Sequence, residues 1–305
     1  MPAFILRRLL ALGLVLFCVV TITFFMMRLL PGGPFDRDRK IPPAIEKQLL
    51  KKHRLDAPLF VQYRDYLWDL LHGDLRESTK YLSRSVNEII GQTLPVSGLL
   101  GGTAFLLAAT AGVWLGTFAA VRRDTAFDAG AMFAALLAIS VPAFVTGPLL
   151  ILVFAVLWPV FPVGGWGNWR SLILPSLVLA APYVAYIARL MRSSMLEVLG
   201  QDFIRTARAR GLSETRVVYS HALKVAILPV VSFLGPLAAN LLTGSIVVEA
   251  IFNIPGMGGF FVNSILNRDA FLIGGVVIVY CALLGVMNLL VDLAYTLLDP
   301  RVKLY

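Results

Sequence analysis

The sequence predicts an all-α membrane protein with six transmembrane helices, and three observations carry that prediction. Apolar residues make up 58% of the 305-residue chain, where a soluble domain averages roughly 45–50%. Charged residues are only 15%, against about 25% in soluble domains, and the mean hydropathy is +0.79. The uncharged stretches are also long, and about 20 apolar residues suffice to cross roughly 30 Å of hydrocarbon. A water-soluble globular protein is thereby excluded. The net charge of +9 does not point to nucleic acid, because a nucleic-acid face needs basic residues gathered on a solvated domain.

The first span is expected over residues 9–30, with Arg28 as the one charge near its far end. Arg7 and Arg8 precede it as in a secretory signal, but its core is too long and Pro31-Gly32-Gly33-Pro34 offers no small-x-small cleavage site, so it reads as a retained anchor. A polar external segment follows over 31–96. Its apolar residues recur at helical spacing (Ile45, Leu49, Leu50, then Leu55, Tyr63, Tyr66, Leu67, Leu70), and Pro42-Pro43 and Asp56-Ala57-Pro58 are helix-start signals. Short helices lying on the outer face are expected there, either as a solvated cap or with a role in binding.

The second span covers 97–121, without charge. The third lies within the uncharged stretch 129–169, which is too long for one span; Trp158, Pro159, Pro162, Gly164, Gly165 and Gly167 mark its second half as an interfacial turn. The fourth, fifth and sixth spans are placed at 171–190, 225–248 and 271–296. Orientation follows from Lys and Arg in short loops and tails. One side carries Arg7, Arg8, Arg122, Arg123, Arg205, Arg208, Arg210, Arg216, Lys224, Arg301 and Lys303, and the other only Arg170 and Arg268. Both termini are therefore expected in the cytoplasm. The 11 basic residues of 31–95 do not oppose this, because segments longer than about 60 residues escape the bias.

Several chemistries lack their residues. The dipeptide Gly-Lys does not occur, so there is no GxxxxGK[ST] loop to cradle nucleotide phosphates. There is no HExxH and no GxSxG; His53, His72 and His221 are isolated, and Cys18 and Cys281 lie inside apolar runs. No catalytic residue and no metal ligand is assigned.

The cytoplasmic loop, 197–228, is the most informative stretch: EVLGQDFIRTARARGLSETRVVYSHALKVAIL. It reads as helix, glycine, helix. Phe203 to Arg210 are good helix formers, and the small Ala207 and Ala209 allow another surface to approach. Gly211 stands where a helix ends in a left-handed residue, and Ser213 is placed to cap the next helix. On these grounds alone the loop is either a docking element or a basic hairpin on the anionic inner leaflet.

Polar residues inside spans face a bundle interior or a water-filled cavity. Asn240, Thr243 and Ser245 cluster in the fifth span with Glu249 at its outer end. They line a pathway or bond to neighbouring helices.

The pattern RTARARGL, followed by HALK and LP, resembles the ATPase-coupling loop of binding-protein-dependent ABC importer permeases, in their peptide and nickel branch. Arg205, Thr206 and Ala207 stand where the family has Glu-Ala-Ala, and Gly211 is its glycine. His221, Ala222, Leu223 and Lys224 stand where it has Ile-x-Leu-Pro, so the glutamate and the final proline are replaced. The resemblance extends along the chain, through FILRRLL, TITFFMMRLLPGGPF, LDAPLFVQYRDYL, LTGSIVVEAIFNIPGMGGFFVNSILNRD and NLLVDLAYTLLDPR. These are similar to B-type permeases of oligopeptide and dipeptide importers.

The resemblance implies a type I ABC importer permease in a bacterial inner membrane. Phe203, Arg205, Thr206, Ala207, Ala209, Gly211, Leu212, His221, Ala222 and Leu223 would then form the coupling loop. Asn240, Thr243, Ser245 and Glu249 would line the pathway, and Pro255, Gly256 and Gly258 would form an outer gate and binding-protein contact. It also implies a homologous second permease, two ATP-binding subunits that carry ATP and Mg, an external peptide-binding protein, and no cofactor on this chain. The expected division is an N-terminal helix at 1–30, the external segment at 31–96, a five-helix permease domain at 97–296 and a tail at 297–305. Relatives carrying nickel chelates or other peptide-like solutes remain an alternative substrate class. A secondary transporter acting alone is the alternative of another kind, and it commonly shows two repeated halves; no motif here occurs twice.

Overall fold

The computed structural model describes residues 2–29, 48, 51, 55–81 and 83–298; the expected helix start at Pro42-Pro43, Ile45, Leu49 and Leu50, and the basic Arg301 and Lys303, lie outside them. Among the described residues the chain is helical, with one isolated bridge, Glu77 to Ser85, and no strand. In chain order the helices are α1 (Pro2–Leu29), α2 (Leu59–Leu71), α3 (Val86–Val121), α4 (Ala126–Ser140), α5 (Ala143–Ile151), α6 (Arg170–Leu199) and α7 (Asp202–Ala209). They continue as α8 (Glu214–Arg216), α9 (Leu223–Ala226), α10 (Leu228–Leu242), α11 (Ile246–Ile251), α12 (Met257–Leu266) and α13 (Ala270–Leu298). Two π-helical turns, Leu152–Leu157 and Val217–Ala222, extend α5 and join α8 to α9.

Among the described residues five segments are long and apolar enough to cross a membrane: Phe4–Arg28, Val86–Val121, Arg170–Leu199, Leu228–Ile251 and Ala270–Ala294. A sixth results if Ala126–Ser140 and Ala143–Leu157, bent by 105°, count as one broken span. The sequence places the interruption of the third span at its tryptophan-glycine turn, but the helix already breaks at Val141. Proline lacks an N–H and disfavours the helical region for the residue before it, and Val141, ahead of Pro142, is extended at φ −92° and ψ 117°.

The second span also differs from its expected extent. Its helix begins not near Ser97 but at Val86, because Ser85 accepts the Glu88 N–H at 3.0 Å and so starts the helix with the first half of a Ser-x-x-Glu capping box. At 1.5 Å per residue, 36 residues reach about 54 Å, so the helix projects well past the hydrocarbon.

The core is organised around α3. Ser97, Gly101, Ala104, Ala108, Gly112 and Gly116 recur at three- and four-residue spacing and are all buried, a small-residue stripe of the kind that lets transmembrane helices approach closely. A Cβ on Gly101 would strike the Leu241 backbone of α10, and one on Gly112 or Gly116 would meet Ile187, Ala188 and Met191 of α6. Larger residues at these positions would drive the helices apart. A second cluster, at the end of the bundle where α3 and α13 begin, joins Val20 and Phe24 of α1, Tyr66 of α2, Val86 and Ile89 of α3, and Phe271 and Leu272 of α13. At the opposite end Arg8 pairs with Asp292 at 2.8 Å, and Arg192 grips buried Asp128 through two bonds of 2.6 Å, tying α1 to α13 and α4 to α6.

Candidate functional site

Two sites stand at opposite ends of the bundle. At the basic end, α7 turns Ile204 and Ala207 inward, where they join Val217, Val218 and Ala222 of the π-helical turn in the main core. Phe203, Arg205, Thr206 and Ala209 stay exposed. The sequence treats Ala207 and Ala209 alike as points of close approach; the helical period separates them, one to the core and one to the surface.

Gly211 ends α7 at φ +76°. Its N–H donates to the Arg208 carbonyl at 2.9 Å, and the Leu212 N–H reaches the Ala207 carbonyl at 3.4 Å. This pair of bonds is the Schellman closure, which satisfies carbonyls that the helix end leaves without partners. Arg208 then bridges the junction to Glu214 with bonds of 2.7 and 3.2 Å, and the guanidinium holds the Glu214 carboxyl below the usual carboxylate range. A lowered carboxylate contributes stability above its ordinary range and loses it as pH falls through the lowered value, so this exposed pair gives the junction modest support at neutral pH. Ser213 occupies the cap position of α8, extended at φ −63° and ψ 145°, but its side chain makes no capping bond; its carbonyl accepts the Val217 N–H at 2.9 Å instead. His221 and Leu223 are half-buried and Ala222 is buried. The ten coupling residues inferred from sequence thus divide into an exposed face on α7 and an inward set that seats it.

At the other end, the predicted pathway residues fall into two groups. Gly244, at φ +99°, breaks the fifth span between α10 and α11. Ahead of the break, Asn240 and Thr243 line an open cavity of about 310 Å³ together with Gly258 and Tyr280. Asn240 donates its side-chain amide to the Tyr183 hydroxyl at 3.2 Å. Beyond the break, Ser245 caps α11 by accepting the Val248 N–H at 3.5 Å.

Glu249 lies 2% exposed and does not line that cavity. Its carboxylate accepts the Ser97 hydroxyl at 2.7 Å and the Gly258 N–H at 3.0 Å, while Ser97 accepts the Met257 N–H at 2.8 Å. Gly256 packs against the same carboxylate so closely that a Cβ there would overlap all three of its terminal atoms. Glu249 therefore fastens the Ile254-Pro255-Gly256 turn to α3. The glycine-rich turn after α5 rests on the same place, through a bond from the Gly165 N–H to the Phe252 carbonyl at 2.8 Å.

Sequence reasoning missed Ser97, read only as the first residue of a span, and Asp269. Fully buried Asp269 accepts the Ser78 hydroxyl and the N–H groups of Thr79 and Lys80, both at 3.2 Å, and it caps α13 by accepting the Leu272 N–H at 3.3 Å. The signal was available: an aspartate directly before an apolar run is a helix-start residue. Among the described residues no group of three His, Cys, Asp or Glu is placed to hold a metal ion.

Comparison with known proteins agrees with this geometry. The family model described as "Binding-protein-dependent transport system inner membrane component" matches residues 112–304, and the model of the N-terminal part of such membrane components matches residues 1–84. The oligopeptide transport system permease protein OppB of Salmonella typhimurium is 44% identical over 305 residues, covering 99% of this chain and 100% of its own. The dipeptide transport system permease protein DppB of Bacillus subtilis is 45% identical over 305 residues, covering 100% of this chain and 99% of its own. The corresponding DppB of Lactococcus lactis is 41% identical over 306 residues, with 100% of both chains covered. A helical bundle with several membrane-crossing segments, matched along its whole length, leaves one assignment: the chain belongs to the family of binding-protein-dependent transport system inner membrane components.

Proposed function

We propose that the chain is the permease subunit of an ATP-driven peptide importer. It passes oligopeptides from an external binding protein into the cytoplasm and performs no bond chemistry itself. The observation that carries this reading is the end-to-end similarity to oligopeptide and dipeptide transport permeases. In this reading the chain supplies half a channel and pairs with a related permease, and two ATP-binding subunits, which hold ATP and magnesium, dock beneath. The third span is the broken pair α4 and α5, giving six spans in a type I arrangement. The division is 1–30, 31–96, 97–296 with the loop 197–228, and a tail at 297–305.

The exposed face of α7 (Phe203, Arg205, Thr206, Ala209) is the surface that enters the ATP-binding subunit, and Ile204, Ala207, Leu212, Ala222 and Leu223 carry its movement to the spans. Asn240 and Thr243 line the pathway: an exposed amide on a membrane-crossing helix is costly against lipid, so this face meets the second permease or the peptide. Pro255, Gly256 and Gly258, held by Glu249 and flanked by Ser245, form the outer gate against the binding protein.

Three experiments test the reading. The chain reconstituted alone is expected to move no peptide against a gradient, with uptake appearing when the second permease, the ATP-binding subunits and ATP are added; uphill transport by the chain alone would sink the importer reading. Peptides of graded length alongside nickel chelates, supplied to the same complex, separate the substrate classes. Both termini and the 122–125 and 191–228 segments should face the cytoplasm. A cysteine at Ser213 should therefore resist impermeant maleimide in intact cells and react in inverted vesicles, and labelling from outside would reverse the topology.

A further inference from the structure

The external helix α2 buries one side and exposes large apolar residues on the other. Its inward face presents Gln62 and Tyr66, both buried. Gln62 accepts two bonds from Arg28 at 3.2 and 3.0 Å and donates to the Leu55 and Ala57 carbonyls at 3.0 and 2.7 Å. The opposite side carries Phe60, Arg64, Trp68 and Leu71, whose spacing of four, four and three residues keeps them on one stripe. Phe60 is 77% exposed, Trp68 64% and Leu71 81%. Single exposed apolar residues are ordinary, but three large ones on one stripe call for a cover.

Depth identifies the cover. The Tyr63 hydroxyl meets the Thr21 hydroxyl at 2.7 Å. Thr21 lies seven residues inside Arg28, the end of the first membrane-crossing segment, or about 10 Å at 1.5 Å per residue. The Tyr66 hydroxyl lies against Gly274 of α13, four residues and about 6 Å inside the start of that helix. The reach of a tyrosine is comparable to these depths, so the axis of α2 runs level with the outer ends of both spans. That is the headgroup layer, which accounts for roughly 10–15 Å of total bilayer thickness beyond the hydrocarbon. The Tyr63 ring also stacks obliquely on Phe25 at 5.4 Å. Phe25 shares the exposed side of α1 with Ile22 and Met26, so the flank of α2 continues the lipid-facing surface of α1.

We propose that α2 is an interfacial helix, with Phe60, Trp68 and Leu71 seated among the lipids of the outer leaflet. Trp68 takes the interfacial position that indole rings favour, and Arg64 extends its charged head toward water along the same stripe. The helix thus holds the outer ends of α1 and α13 at a fixed height in the bilayer, and the binding protein is left the turns around Gly165 and Pro255.

The test uses the complete transporter in nanodiscs, with Cys18→Ala and Cys281→Ala as background. A nitroxide is attached at Phe60→Cys, Trp68→Cys or Leu71→Cys in turn, with exposed Ser83→Cys as the aqueous reference. Collisions with oxygen and with a water-soluble nickel chelate are then compared. The ratio of oxygen to nickel collisions is expected to be several-fold higher at 60, 68 and 71 than at 83, and unchanged when binding protein is added. Nickel collisions equal to those at 83 would show a solvated face; low collisions with both reagents, or a fall on adding binding protein, would show a protein cover. Each of these overturns the proposal. An unlabelled measurement guards against disturbance by the label: the fluorescence lost in Trp68→Phe should be quenched by lipids brominated near the headgroup and spared by aqueous iodide, and the reverse pattern refutes the interfacial placement.

Discussion

Gly211→Val is expected to reach the membrane in near-normal amounts and to lose ATP-driven uptake. At φ +76° the position lies in the left-handed region, where a residue with a Cβ pays roughly 1–2 kcal/mol and a β-branched one is a genuine outlier. Space is not the obstacle, because a Cβ there would meet nothing within 4 Å inside the chain. The defect is therefore conformational and local: valine pulls the junction out of the Schellman closure and changes the angle between α7 and α8. The spans satisfy their own backbone hydrogen bonds within the bilayer, so insertion survives while the docking face is misaligned. Gly211→Asn separates backbone strain from side-chain bulk, since asparagine tolerates the left-handed region, and it should retain a large part of the uptake. Vesicle uptake and co-purification of the ATP-binding subunits read both variants. Normal transport by the valine variant, or a wild-type 203–224 loop that stays fully open to protease in the assembled complex, would refute the coupling role.

Glu249→Gln is expected to lower binding-protein-stimulated ATP hydrolysis equally for cationic, neutral and anionic peptides. The glutamate accepts two donors, the Ser97 hydroxyl and the Gly258 N–H. A glutamine keeps one oxygen for the Gly258 N–H and turns its NH₂ to Ser97, whose hydroxyl proton then loses its acceptor. Leaving a buried donor unsatisfied costs about 1–3 kcal/mol, roughly a 5- to 150-fold change in the population of the ordered turn. Ser97→Ala breaks the same latch from the α3 side, so the double variant should be little worse than either single one, as residues of one network are not additive. An effect that tracks peptide charge would instead place the carboxylate in the path of the peptide. Additive losses would separate Ser97 from Glu249 altogether.

Much of this molecule was legible in its composition and periodicity. Long uncharged runs can only be helices, because lipid offers no partner for a free backbone N–H. Hence α1, α6 and α13 fall close to where the runs place them, with differences of several residues at their ends. Gly211 was legible for an equally local reason: a glycine between two helical patterns needs no distant partner to take a positive φ. The alternation of Tyr63, Tyr66, Leu67 and Leu70 likewise foretold the inward side of α2, although Pro58 proved to stand one position ahead of the helix rather than in its first turn.

What the sequence by itself determined is the set of elements whose cause is local: apolar length, helix period, and proline and glycine punctuation. The tertiary structure decided the pairings. Glu249 and Ser97 are 152 residues apart and Ser78 and Asp269 are 191 apart, and no local pattern announces such contacts. The same physical cost governs both cases. A carboxylate carried into the bundle is tolerated only where donors converge on it, and which donors converge is fixed when the small residues of α3 let α6 and α10 close around it.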